Sequence, residues 1–139
     1  MSPILFEKSA DRASEMVKPY TILLIDDEDY IVKFLSILLR VHGYQVLTAA
    51  NGAKALEIAR SGIVDLVVTD LIMPQLDGIA LIRQIRLFSK KLPVIVVSGC
   101  ESDHKRLEAL QSGADDFFLK PFDPRTLVEC IAARLPVER

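Results

Sequence analysis

Five short apolar runs recur along the chain: Ile22–Ile25, Gln45–Thr48, Leu66–Thr69, Val94–Val97 and Asp116–Leu119. Three are continuous and rich in β-branched residues, as suits parallel strands covered on both faces. The run at Phe117 is less β-branched and is the least marked of the five. Between them lie helix-length segments with apolar residues every three or four positions. Ile31, Phe34, Leu35, Leu38 and Leu39 form one such stripe, predicted to face the core, and Gly43 follows it. Ala53–Ala59 runs to Gly62 and Glu101–Gln111 to Gly113, each with glycine at the usual left-handed stop. Ile79–Phe88 stops before Pro93. A fifth helix starts around Pro124 and presents Leu127, Val128, Ile131 and Leu135 before Pro136. Strand and helix alternate five times, which predicts an α/β, doubly wound parallel sheet with helices on both faces.

At 139 residues the chain has room for one ordinary domain. Residues 1–18 precede the alternation as an N-terminal extension, an arm or a short docked helix. The folded unit is expected over 19–137, with no output domain after it. Seventeen basic residues against nineteen acidic ones leave a net charge of -2, which argues against direct nucleic-acid binding. No apolar stretch approaches the roughly 20 residues that span a bilayer, and the first residues lack the apolar segment of a signal peptide. Two cysteines, Cys100 and Cys130, are too few for a disulfide framework or a zinc cluster. A cytoplasmic setting without membrane contact is the expectation.

In open α/β sheets, ligands bind beyond the carboxyl ends of the strands. The first strand ends in Asp26-Asp27, the third in Asp70, the fourth in Ser98 and the fifth in Lys120-Pro121. The second ends in Ala49-Ala50 and offers nothing. Each group has a structural explanation of its own. The Asp26–Asp29 run could cap a helix, Asp70 could be a loop acid, Ser98 a cap and Lys120 a surface lysine. Their placement on one edge is what suggests chemistry. Two carboxylates about 4 Å apart repel by roughly 4 kcal/mol near a protein surface, so three of them call for a cation. An all-oxygen set favours Mg²⁺, Mn²⁺ or Ca²⁺ over zinc. A lysine and a hydroxyl beside such a cation suit a phosphoryl group, and an aspartate can itself be the nucleophile that carries it.

Four segments carry a family resemblance: Ile22-Leu-Leu-Ile-Asp-Asp-Glu28, Asp65-Leu-Val-Val-Thr-Asp-Leu-Ile-Met-Pro-Gln-Leu-Asp-Gly78, Pro93-Val-Ile-Val-Val-Ser-Gly99 and Gly113-Ala-Asp-Asp-Phe-Phe-Leu-Lys-Pro-Phe122. In this order and spacing the chain resembles the receiver domains of two-component response regulators, over about residues 20–135. The resemblance implies a flavodoxin-like (βα)5 fold with strand order 2-1-3-4-5. It implies Asp70 as phosphoacceptor and Asp26 and Asp27 as the acidic pair around Mg²⁺, with Mn²⁺ as substitute. Asp27 would bind the metal directly, Asp26 mainly through water, and the Ile72 backbone carbonyl would be a further ligand. Lys120 matches the lysine that holds the phosphoryl oxygens, through a bond to Pro121 that is usually cis in the family. Ser98 and Phe117 match the switch pair that responds to phosphorylation and reshapes the face of the fourth helix, fifth strand and fifth helix.

The implied partners are a sensor histidine kinase or a histidine phosphotransfer protein as donor. A downstream protein or an output domain would read the state, and a phosphorylation-dependent dimer is compatible. Such a domain is no enzyme in the ordinary sense, since it catalyses only its own phosphorylation and dephosphorylation. Phe117 stands where Tyr is frequent, and Ile72 where some members carry a polar side chain. The second departure bears on the rate of self-dephosphorylation.

Two other readings compete. A small aspartate-nucleophile phosphohydrolase of the haloacid dehalogenase kind would use Asp27-Glu28-Asp29, Ser98 and Lys120, but leaves Asp70 and Met73-Pro74 unexplained. A degenerate receiver used only for docking would not need intact Asp70, Asp27 and Lys120. The pair Cys100 and His104, His42 before Gly43, and Lys90-Lys91 are read as structural or solvated positions.

Overall fold

The computed structural model describes residues 18–73 and 75–135. The expected N-terminal extension therefore lies almost entirely outside the described residues. The elements are β1 (Thr21–Ile25), α1 (Asp29–Val41), β2 (Gln45–Ala49), α2 (Gly52–Arg60), β3 (Leu66–Thr69), α3 (Gly78–Phe88), β4 (Val94–Ser98), α4 (Asp103–Ser112), β5 (Asp116–Leu119) and α5 (Pro124–Arg134). The five strands are all parallel, in the order β2-β1-β3-β4-β5. The doubly wound sheet expected from the alternation is thus the observed fold.

Strand side chains point alternately to opposite faces, and β1 divides the core accordingly. Ile22 and Leu24 join Leu35 and Leu39 of α1 and Leu127 and Ile131 of α5 on one face. Leu23 and Ile25 join residues of α2, α3 and α4 on the other, among them Ala55, Ile82 and Ala109. The three inner strands are buried almost throughout, which is why they read as unbroken apolar runs. β5 lies at an edge and is only half-buried, in keeping with its weaker sequence pattern.

Side-chain caps set the starts of four helices. Asn51, Asp77, Ser102 and Asp123 each accept an amide hydrogen bond from the first turn of α2, α3, α4 and α5. Ser102 explains why α4 begins at Asp103, two residues later than the apolar pattern indicated. Gly113 ends α4 at φ 120°, a conformation that L side chains rarely adopt.

Two readings of α1 need correction. Phe34 was expected in the core, yet it is 47% exposed. A 100° helical step turns it away from the sheet when Leu35 and Leu39 face inward. Of the acidic run read as helix caps, Asp29 lies in the first turn and Asp26 Oδ1 accepts the Glu28 amide, but Glu28 occupies the N-cap position without a side-chain cap bond. Its carboxylate is engaged elsewhere.

Candidate functional site

Parallel strands deliver their C-terminal residues to one edge of the sheet, so Asp26, Asp27, Asp70, Ser98 and Lys120 arrive there together. Asp27, Glu28, Asp70, Ile72, Ser98, Gly99, Cys100 and Lys120 line an open cavity of about 330 Å³. Asp26, Asp27 and Asp70 each bring a carboxylate oxygen to within 4.8 Å of the others. Asp26 and Asp70 are buried and Asp27 is exposed.

Lys120 Nζ is the electrostatic centre of this edge. It donates to Asp26 Oδ2 at 2.7 Å, Glu28 Oε1 at 3.0 Å and Asp70 Oδ2 at 3.4 Å. Burial works against its ammonium. The hydrogen bonds to Asp26 and Glu28, with the charges of Asp70 and Asp26, outweigh burial and hold its pKa above the ordinary lysine range. Burial raises the Asp26 pKa, against the opposing pull of Lys120 and of the Glu28 amide that donates to Oδ1 at 2.9 Å. The Lys120 bond lowers that of Glu28.

Three carboxylates face one ammonium, and Asp27 brings a fourth to within 4.8 Å of Asp26 and Asp70. Hard oxygen donors with excess negative charge are the chemistry of a Mg²⁺ or Mn²⁺ site, and the residues present fit such an ion.

Local structure fixes the remaining geometry. Asp70 Oδ1 accepts the amide of Leu71 at 2.7 Å, with Ile72 N at 3.4 Å, which leaves Oδ2 toward Lys120. Thr69 Oγ1 donates to the Asp70 carbonyl at 2.8 Å and lies 3.8 Å from Met73 Sδ, bracing the turn beneath the carboxylate. Gly78 N donates to the Leu71 carbonyl at 2.7 Å. A Cβ at Gly78 would collide with the Asp70 carbonyl and Leu71, so the Asp77-Gly78 pair caps α3 and lets it approach the site.

Ser98 is buried, and its Oγ accepts the amide of Cys100 at 3.2 Å. The Lys120–Pro121 bond is cis, and Lys120 N donates to the Ser98 carbonyl at 2.8 Å. Phe117 pairs with Val96 across the β4–β5 ladder and packs half-buried on the core. It lines a surface cavity of about 280 Å³ with residues of the α4 start.

Ile72 borders the cavity of the acidic cluster and is 67% exposed. Glu28 and Thr69 were not singled out from the sequence. Glu28 was hidden in an acidic run that a helix start explains, and Thr69 was marked only by being a polar residue at the end of an apolar strand. Cys100 lines the cavity, whereas His104 is an exposed residue of α4 outside it.

The response regulator receiver domain family matches residues 22–132, and the chain belongs to that family. The alkaline phosphatase synthesis transcriptional regulatory protein PhoP of Bacillus subtilis is 38% identical over 104 residues, covering 75% of this chain and 43% of that protein. The probable transcriptional regulator ycf27 of Cyanidium caldarium is 39% identical over 110 residues, covering 79% of this chain and 44% of its own length. The chain thus spans under half the length of these relatives. Among solved structures, the CheY-like receiver domain protein of Methanospirillum hungatei superposes with a TM-score of 0.81 at 28% identity, over 85% of this chain and 94% of that one. A CheX–CheY–BeF3–Mg²⁺ complex from Borrelia burgdorferi gives 0.77 at 29% identity, over 83% and 88%. Among the described residues no helix is long and apolar enough to cross a membrane.

Proposed function

We propose that this chain is a phosphorylation-dependent signalling switch in which Asp70 accepts a phosphoryl group from the phosphohistidine of a sensor histidine kinase or histidine phosphotransfer protein. The observation that carries this reading is the buried Asp70 carboxylate, held at one oxygen by a backbone amide and facing Lys120 with the other, with two further aspartates within 4.8 Å.

An Asp70 oxygen forms the new bond to phosphorus as the bond from phosphorus to the donor imidazole breaks. The displaced imidazole nitrogen keeps the electron pair and takes up a proton from solvent. Asp27, with Asp70 and the Ile72 carbonyl, would hold Mg²⁺ or Mn²⁺ directly, and Asp26 would act through water. When bound, the cation supplies charge neutralisation for the phosphoryl oxygens.

Lys120 is a protonated point charge already poised at Asp70 Oδ2, and it transfers its hydrogen bonds to the phosphoryl oxygens. The product carries up to about two negative charges where a carboxylate stood. Ser98 then exchanges its bond with Cys100 N for one to the phosphoryl group. Phe117 turns into the space behind, and the α4–β5–α5 face changes its affinity for a downstream protein, an output domain or a second copy. The CheY in the Borrelia burgdorferi complex, with its BeF3 and Mg²⁺, supports the same pocket chemistry here. The chain transforms no separate substrate in this scheme, and a cytoplasmic location fits it.

Incubation with Mg²⁺ and a small acyl phosphate, read by intact mass, tests the scheme. One phosphoryl adduct is expected on the wild type and none on Asp70→Asn. Steady turnover of phosphate monoesters would instead make the chain a hydrolase. No adduct from either the acyl phosphate or a phosphohistidine donor would reduce it to a docking module.

A further inference from the structure

Glu28 departs from a local rule. It holds the N-cap of α1, a position that favours Ser, Thr, Asp or Asn, whose short side chains return to the first-turn amides. Glu28 makes no such bond, although its main chain is firmly placed. Its amide donates to Asp26 Oδ1 at 2.9 Å, and its carbonyl accepts Ile31 N at 3.0 Å and Val32 N at 3.1 Å. The longer side chain leaves the helix start and meets Lys120 Nζ at 3.0 Å, 92 positions away in sequence. A local preference given up for a long-range contact is expected where function overrides stability.

The three partners of Lys120 are not equivalent. The Asp26 and Asp70 side chains are 3% and 9% exposed, and each is anchored by a backbone amide. The Glu28 side chain is 42% exposed and borders an open cavity of about 510 Å³, lined also by Tyr30, Phe34 and Phe122. It can swing into that space without disturbing the core, and the two aspartates cannot. Lys120 Nζ lies 2.7 Å from Asp26 and 3.0 Å from Glu28, but 3.4 Å from Asp70. Its longest contact is thus to the phosphoacceptor. An anionic group arriving at Asp70 must draw the ammonium from another partner, and Glu28 is the one free to leave.

We propose that Glu28 is a positioning residue that acts through Lys120, a detachable counter-ion that holds the ammonium back from Asp70 and competes for it with the incoming phosphoryl group. This rests on the function proposed above. The competition sets how tightly the site takes an anion. Bond formation at Asp70 is untouched by it.

Binding of beryllofluoride to the full chain at saturating Mg²⁺, followed by fluorine nuclear magnetic resonance, tests this. Glu28→Gln keeps the shape and removes the charge. Glu28→Asp keeps the charge, but is one methylene shorter and suits the N-cap, so it turns back to the helix. Asp29→Asn removes a neighbouring exposed charge from the first turn of α1. Both Glu28 variants should bind beryllofluoride about three- to fivefold more tightly than the wild type, the range of one part-exposed ion pair. Asp29→Asn should change the affinity by less than about twofold. Wild-type affinity in Glu28→Asp overturns the proposal in favour of charge alone, whatever Asp29→Asn does. Unchanged or weaker binding in both Glu28 variants, with far-UV circular dichroism showing the fold intact, also overturns it. No bound signal in the wild type, or an equal one in Asp70→Asn, instead sinks the function proposed above, and this inference with it.

Discussion

Lys120 shows how much of this domain depends on one side chain. Its ammonium is bonded to Asp26, Glu28 and Asp70, with only 12% of its side chain exposed. Removing it leaves those carboxylates facing one another. Lys120→Ala is expected to cost roughly 2–3 kcal/mol in metal-free urea unfolding. The same variant should bind Mg²⁺ more tightly by titration calorimetry, because the nearest competing positive charge is gone.

Cys130 makes a second residue-scale case. Burial, with its hydrogen bond to Asp116 Oδ2 at 3.1 Å and the charge of that carboxylate, pushes its thiol up to about 11. The folded state thus favours the neutral thiol relative to the unfolded chain. That contribution is complete below the ordinary thiol value and is lost as pH rises through about 11. Alkylation of Cys130 in the native protein should be slow at pH 8 and accelerate through that range. The decline in stability over the same range should be smaller in Cys130→Ala.

At the scale of elements, helix and strand limits followed from local pattern wherever a glycine or capping side chain marked them. The contacts that lock elements together were less accessible. Arg86 looks in sequence like a last-turn helix cation. In the fold its guanidinium donates to the Gly113 carbonyl at 3.0 and 2.7 Å, to the Ser89 and Leu92 carbonyls at 3.2 and 2.7 Å, and to Asp115 Oδ2 at 3.1 Å. Asp115 Oδ2 also accepts the amide of Val94, so one side chain ties α3, the entry to β4 and the end of α4. Partners 27 and 29 residues away leave no local signal. Arg86→Ala is expected to lower stability by about 2–4 kcal/mol in denaturant unfolding, by stranding carbonyls and a carboxylate that are sheltered from water. Phe34 illustrates the reverse. Its apolar side chain gave it a place in the core stripe, but a one-residue step around the helix put it outside.

For the whole molecule, the concentration of negative charge on one edge should make stability responsive to a divalent cation. A ligand that binds only the folded state adds about 2.7 kcal/mol at a hundred times its dissociation constant. Saturating Mg²⁺ should therefore raise the melting temperature by several degrees. The rise should vanish with a chelator and in Asp27→Ala, whose exposed side chain can be removed without disturbing the core. A calorimetric scan in which both proteins respond equally would place the cation elsewhere.

The alternation of five apolar runs with five amphipathic segments was enough by itself to determine a parallel doubly wound sheet. Each inner strand buries both faces and so reads as an unbroken apolar run, and each helix buries one face at a period of 3.6. Parallel strands also had to carry the residues at their carboxyl ends to a common edge, so Asp26, Asp27, Asp70, Ser98 and Lys120 could be grouped before any coordinates. Only tertiary structure decided how that group is wired. Ion pairing depends on distances between residues far apart in sequence, 92 positions for Glu28 and Lys120. Glu28 became a lysine partner instead of a side-chain helix cap because the parallel sheet carries the ends of β1 and β5 to one edge. The small net charge of -2 conceals this arrangement. A sum over the chain carries no positions, and it is the positions that set three carboxylates around one ammonium with Asp27 beside them.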